Sequence, residues 1–379
     1  MRYLRKNIEA MAGYIPGEQP GAAERVIKLN TNENPYPPSP HAVQALREVP
    51  ADRLRRYPDP MANKVRDIVA KMYGVERENV LCGNGSDELL TLVVRAFVGE
   101  GEALAYPTPT YSLYPVLAEI QNCRAIEIPT GRRFEMPVEK LMRVKARAMI
   151  LCNPNAPTGV FTPVETIGRI AGRFKGVVVV DEAYVDFASD NAMGLATKRP
   201  NVIVLRTLSK SYSLAGLRFG YAVGAPELIK GLEKVKDSYN VDAVSIEVAA
   251  AALSDQDWMR ANVEEVCAER ARLVPLLTEL GFDVTPSEAN FILARVPGGD
   301  GRLWYEGLKG RGILVRWWNL PRLADKLRIS VGTPDENDAL LAELKKMAEG
   351  IGAVEQVEAV MRDLLKQRKS KKPGKGATR

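Results

Sequence analysis

The run VVVVDEAYVDF, from Val177 to Phe187, constrains this chain more than any other stretch. Four β-branched residues in succession leave no polar face, so the strand they predict has to be covered on both sides, as a central strand of a mostly parallel sheet is. The fold class that follows is α/β. The acids Asp181 and Glu182 arrive where that strand should end, and in open parallel sheets ligands bind just outside the carboxyl ends of the strands.

A second stretch, NVIVLRTLSKSYSLAGLRFGYAVG from Asn201 to Gly224, predicts two further buried strands flanking a hydroxyl-rich loop that carries Lys210. Burial disfavours the ammonium form, so a lysine in that setting is pushed toward the neutral amine that attacks carbonyl carbons. Taken singly, Asp181 is better explained as a helix cap, and Lys210 is explained equally well as a loop lysine. Taken with Tyr184, the pair supplies what a pyridoxal phosphate site requires: an amine to bond the aldehyde and an acid to keep the pyridine nitrogen protonated.

Other segments fall into series with these. Val80 to Ser86 reads as a strand entering a glycine-bracketed turn, followed by a helix to Val98 with Leu89, Leu90, Val93, Val94 and Phe97 on one face. Gly85 and Ser86 open that helix, where free amides and the helix dipole favour an anion; Asp87 and Glu88 should therefore point away. Ala148 to Cys152 predicts a strand leading into NPNAPTG, with Asn153 at its carboxyl end.

The segments CGNGSDE, NPNAPTG, VVVVDEAYVDF, TLSKSYSLAGLRFGY and LRISVG, in that order, resemble the fold-type I pyridoxal phosphate aminotransferases, and within them the histidinol-phosphate aminotransferases. The resemblance covers roughly 10–350. It implies a large domain with a mostly parallel sheet, a smaller α/β C-terminal domain, pyridoxal 5′-phosphate as cofactor, and histidinol phosphate and 2-oxoglutarate as substrates. It implies Lys210, Asp181 and Tyr184 as catalytic residues. Gly85, Ser86, Thr207, Ser209 and Arg218 would bind the cofactor phosphate, Tyr111 would stack on the ring, and Asn153 with Tyr184 would reach the ring oxygen. Arg328, Arg316, Tyr14 and Asn34 would meet the substrate. Tyr57, in the proline-bound loop RRYPDP, would reach the other subunit's site, making a homodimer with shared sites. The tryptophan pair after Arg316, in VRWW, departs from the smaller aromatic that the family pattern leads one to expect.

The implied organisation is an N-terminal arm over 1–39, a large cofactor domain over 40–254, a small domain over 255–350, and an extra helix with a basic tail over 351–379. The formal charge of +6 belongs to that tail: the residues from Lys366 to Arg379 include seven basic side chains and no acid, and without them the body stands at −1. A nucleic-acid role is thus confined to the tail. Cys82, Cys123, Cys152 and Cys267 lack metal-ligand spacing, and His41 is the single histidine, so neither a zinc site nor a histidine triad is expected. No apolar run approaches the roughly twenty residues of a membrane span, and a cytoplasmic enzyme is expected. Decarboxylation of a phosphorylated amino acid such as threonine phosphate, or transamination of aromatic amino acids, would use the same scaffold. A cofactor-sensing transcription regulator would need a DNA-binding unit that the residues before Gly13 are too few to form.

Overall fold

Alternation along the valine run explains the architecture. The computed structural model describes residues 3–21 and 26–350. Its strands in chain order are β1 (Ile27–Lys28), β2 (Val80–Gly83), β3 (Ala103–Thr108), β4 (Arg124–Pro129), β5 (Ala148–Cys152) and β6 (Val177–Asp181). They continue with β7 (Val202–Thr207), β8 (Gly220–Gly224), β9 (Asp283–Val284), β10 (Phe291–Arg295), β11 (Ile313–Leu314) and β12 (Lys326–Ser330). Seven of them form one sheet in the order β2-β8-β7-β6-β5-β3-β4. The run from β4 to β7 is parallel, and β8 lies antiparallel to both β7 and β2.

Val178 and Val180 enter one core with Met149, Leu151, Val202 and Val204. Val179 enters the other with Ile150, Ile203 and Leu205. Each side chain is fully buried, and taking such a group out of water contributes about 1.5–3 kcal/mol. Helices cover both faces. Asn63–Tyr73 and Val164–Arg173 place Val65, Val69, Ile167 and Ile170 on the first. Gly85–Phe97 and Pro226–Glu233 place Leu89, Leu90, Val93 and Ile229 on the second. The register sets Cys152 beside Asp181 and Asp181 beside Leu205, so the carboxyl ends of β5, β6 and β7 open on the same edge.

After the helix Gln256–Glu279, a third core gathers Phe282, Ile292, Ile313, Leu327, Ile329, Leu340 and Leu344 around the antiparallel sheet β12-β10-β9 and the parallel pair β1-β11. The sequence predicts one strand from Phe282 to Val296; the structure divides it into β9 and β10. β1 stops at Lys28, and Asn32 takes a left-handed backbone, φ 56°, that no strand can continue through. The N-terminal arm contains a short helix, Lys6–Ala10, beside which Asn7 Nδ2 donates to the Glu119 carbonyl at 2.7 Å. The helix expected from Val354 to Gln367 and the basic tail lie outside the described residues. Among the described residues no helix is long and apolar enough to cross a membrane.

A buried ion cluster ties the sheet to the loop above it. Arg206, on β7, donates to Glu182 Oε2 at 2.7 Å and to Asp186 Oδ1 at 2.8 Å, and Ser211 bonds the other oxygen of Asp186. The Glu182 side chain is 0% exposed. Removing one member of a buried pair leaves the other charge uncompensated. Glu182→Ala should therefore lower unfolding stability by about 3–5 kcal/mol, read from the urea midpoint; a loss below about 1 kcal/mol would mean that Asp186 alone satisfies Arg206.

Candidate active site

Lys210 stands at the mouth of the loop after β7, above the carboxyl end of β6. Its Nζ donates to the Thr31 carbonyl at 3.1 Å and lies 5.7 Å from the ring centre of Tyr184. Burial, reinforced by the charge of Arg328, draws its pKa down to about 8. Asp181 ends β6 on the floor of the same cavity, 2% exposed. Tyr114 donates to its Oδ2 at 2.7 Å, and the Ala183 amide donates to its Oδ1 at 3.2 Å. Burial pushes the carboxyl pKa up to about 6, while the Tyr114 bond pulls the other way. The cavity has a volume of about 610 Å³.

One end of the cavity is shaped for an anion. Ser86 and Asp87 stand in the first turn of the helix Gly85–Phe97, whose leading amides have no partner within the helix. Gly85 has φ 75°, and a Cβ there would come within 2.8 Å of Arg218 Nη2. Gly220 permits a second close approach, since a Cβ on it would meet the Arg206 carbonyl at 2.7 Å and Ser86 N at 2.8 Å. Arg218 Nη1 donates to Ser209 Oγ at 3.2 Å, and Thr207 Oγ1 lies 2.9 Å from that same oxygen. A helix N-terminus, two hydroxyls and a guanidinium thus converge.

Contrary to the expectation that both first-turn acids point away, only Glu88 does, accepting from Asn84 N at 2.5 Å and Asn240 Nδ2 at 3.0 Å. Asp87 lines the cavity, where Arg218 Nη2 donates to Oδ2 at 3.3 Å and the Tyr111 hydroxyl donates to Oδ1 at 3.2 Å.

The other end carries Arg328 and Arg316. Arg328 Nη2 donates to the Asn30 carbonyl at 2.7 Å, whereas its Nε is buried without a partner. Burial draws its pKa down to about 10. Tyr14 lines the cavity and meets the Tyr111 ring edge-on, centroids 6.0 Å apart. Tyr184 accepts from Asn32 Nδ2 at 3.1 Å, which leaves the phenolic proton free to point elsewhere.

Two expected contacts are placed differently. Asn153 is fully buried but does not line the cavity: its Nδ2 donates to the Thr162 carbonyl at 3.1 Å and its Oδ1 accepts from the Thr162 amide at 2.7 Å. From the same NPNAPTG segment it is Ala156 and Pro157 that reach the cavity. Asn34 spends its side chain on the lysine loop, with Nδ2 donating to the carbonyls of Lys210 at 3.1 Å and Ser211 at 3.3 Å. Tyr57 lies outside this chain's cavity, 80% exposed and stacked on Tyr239 with ring centres 4.4 Å apart. Two participants were not expected. Tyr114 bonds Asp181, and Asn32 positions Tyr184.

The lining suits pyridoxal phosphate. An amine of lowered pKa and a buried carboxylate share a floor, a phosphate-sized cradle closes one end, and Tyr111 and Tyr184 supply aromatic walls.

The family described as aminotransferase class I and II matches residues 24–344. The chain is 47% identical to histidinol-phosphate aminotransferase 1 of Nostoc sp. over 92% of its own length and 98% of that protein. It is 44% identical to the histidinol-phosphate aminotransferase of Citrifermentans bemidjiense over 92% and 99% of the two chains. Among solved structures, the histidinol-phosphate aminotransferase of Sinorhizobium meliloti in complex with pyridoxal-5′-phosphate superposes with a TM-score of 0.84 at 25% identity, covering 93% of this chain and 99% of that one.

The lowered pKa of Lys210 has a direct consequence. Without cofactor, trinitrophenylation of Lys210 by trinitrobenzenesulfonate, with loss of sulfite, followed by peptide mass spectrometry, should reach half its maximal rate near pH 8. A midpoint at the ordinary lysine value of about 10.4 would mean that burial does not penalise its charge.

Proposed function

The chain belongs to the class I and II aminotransferases, and from that premise we propose that it transfers the amino group of histidinol phosphate to a 2-oxo acid, 2-oxoglutarate being the expected acceptor. The observation that carries this reading is one cavity holding Lys210 and Asp181 at its centre, with an anion cradle at one end and, at the other, two arginines that have no carboxylate partner among the described residues.

Pyridoxal phosphate, when bound, supplies an aldehyde that condenses with amines and an electron-poor ring that takes up the electrons left when a neighbouring carbon loses a proton. In this reading Ser86, Thr207, Ser209 and Arg218 hold the phosphate, and Tyr111 offers its face to the ring, worth about 1 kcal/mol beyond area burial. Asp181 keeps a proton on the ring nitrogen. Its orientation is fixed by Tyr114 and Ala183 N rather than by a competing protein cation, so its charge stays available for that purpose. The Tyr184 hydroxyl, relieved by Asn32 of its acceptor role, donates into the cavity.

Lys210 carries the proton. A neutral amine is the competent base, and a pKa of about 8 keeps an appreciable neutral fraction at physiological pH, where an ordinary lysine would have almost none. The Thr31 carbonyl and the Asn34 bonds to the loop backbone hold the amine in place. Arg328 and Arg316 anchor the anionic group of the substrate.

The active form in this reading is a homodimer in the cytoplasm, with Tyr57 of one copy serving the site of the other. Its exposure and its separation from its own cavity support that assignment.

A panel of histidinol phosphate, threonine phosphate and phenylalanine, each with 2-oxoglutarate, should give glutamate fastest with histidinol phosphate. Release of carbon dioxide from threonine phosphate as the dominant activity would favour decarboxylation instead. Lys210→Ala should lower turnover by at least about 10³-fold and abolish covalent retention of cofactor after borohydride reduction. Retained turnover in that variant would defeat the assignment of the base.

A further inference from the structure

Arg316 and Arg328 are direct cross-strand partners: each amide donates to the other's carbonyl, at 2.9 and 2.8 Å, in an isolated antiparallel bridge. Like charges set opposite one another on a sheet repel. Among the described residues no carboxylate lies within ion-pair distance of either guanidinium. Arg316 makes only long bonds of 3.4 Å to the carbonyls of Pro16 and Ile15, and Arg328 Nε has no acceptor.

What stands between the two charges is Trp318. Its ring centre lies 5.2 Å from Arg316 Cζ and 5.1 Å from Arg328 Cζ, and Phe291 lies 5.3 Å from the latter on another side. Trp318 lines the cavity and is backed by Phe134, Leu293 and Leu323. Its neighbour Trp317 packs against the third core, where Nε1 donates to the Ala324 carbonyl at 2.9 Å and the ring stacks on Tyr305. The alternation of an extended segment therefore sends one tryptophan of the pair to the core and the other to the site.

A π face attracts cations without cancelling their charge or occupying their N–H groups. An aspartate or glutamate in the same place would do both. The arrangement thus keeps two guanidiniums together with most of their donors unspent, and a ligand that balances them carries about two negative charges. A phosphate monoester carries about −1.5 to −2 at neutral pH, whereas a carboxylate carries one.

We propose that Trp318 is the specificity-determining residue at this end of the cavity, holding Arg316 and Arg328 in the spacing that favours a phosphate monoester over an uncharged donor group. The proposal rests on the functional reading above and assigns its substrate selectivity to one side chain.

The test compares kcat/KM for histidinol phosphate with that for histidinol, its dephosphorylated counterpart, in the cofactor-loaded parent, Trp318→Leu and Trp318→Phe. In Trp318→Leu the ratio of the two should fall about tenfold, through KM for the phosphorylated donor, and the inhibition constant of inorganic phosphate should rise by a similar factor. Trp318→Phe keeps a smaller π face and should retain the ratio within about threefold. If Trp318→Leu lowers both donors equally, or changes neither, the proposal is overturned and the residue only packs. Should Trp318→Leu fail to load cofactor, Trp318→Met, which also lacks a π face, takes its place, and a donor ratio and phosphate inhibition constant both unchanged from the parent overturn the proposal. A parent enzyme that does not prefer histidinol phosphate over histidinol overturns the functional reading itself, a result recognisable before any variant is measured.

Discussion

A carboxylate buried at the end of a valine strand is the constraint around which the rest is arranged. Asp181 is 2% exposed and is held by one hydroxyl and one amide, with no basic side chain paired to it among the described residues. Desolvating a charge in this way is costly, and the cost appears as a carboxyl pKa raised to about 6. Such a group is worth its destabilisation where something cationic is to be held beside it. A protonated pyridine nitrogen meets that requirement, and the cavity above Asp181 has the size, aromatic walls and anion cradle to receive the rest of the cofactor.

The same physics acts on Lys210 with the opposite sign. Burial penalises the ammonium, so the amine becomes a usable base, and the nearby charge of Arg328 adds to the effect. The rigid part of the arrangement lies below: Arg206, Glu182, Asp186 and Ser211 lock the end of β7 to the segment after β6, so the two strands that deliver Asp181 and Lys210 cannot shift independently. Glycine at 85 and 220 serves the anion end, where Arg218 and the sheet approach the turn more closely than a side chain would permit.

Much of this is legible in the sequence because it depends on local pattern. An all-apolar β-branched run fixes a doubly covered strand, and its last residue must open on the ligand edge, so Asp181 could be placed without coordinates. Lys210 and Arg218 follow from the loop between two such strands. What local pattern does not determine is the direction of a side chain at a strand end. Asn153 occupies the expected position, yet its amide is satisfied by the Thr162 backbone nine residues on. Asn32 and Tyr114 went unrecognised for the converse reason: one acts from a left-handed turn and the other from a helix, each through a bond to a residue more than sixty positions away. The paired tryptophans after Arg316 stood out as a departure, but only the alternation seen in the structure separates the core residue from the one between the arginines.

The central claim is that Asp181 keeps the cofactor ring protonated. Nitrogen-15 NMR of the enzyme loaded with ring-labelled pyridoxal phosphate reads that proton directly. At pH 8 the ring nitrogen should resonate as a protonated pyridinium in the parent and as a free pyridine in Asp181→Asn. A free pyridine signal in the parent, or an unchanged pyridinium signal in the variant, would contradict the account.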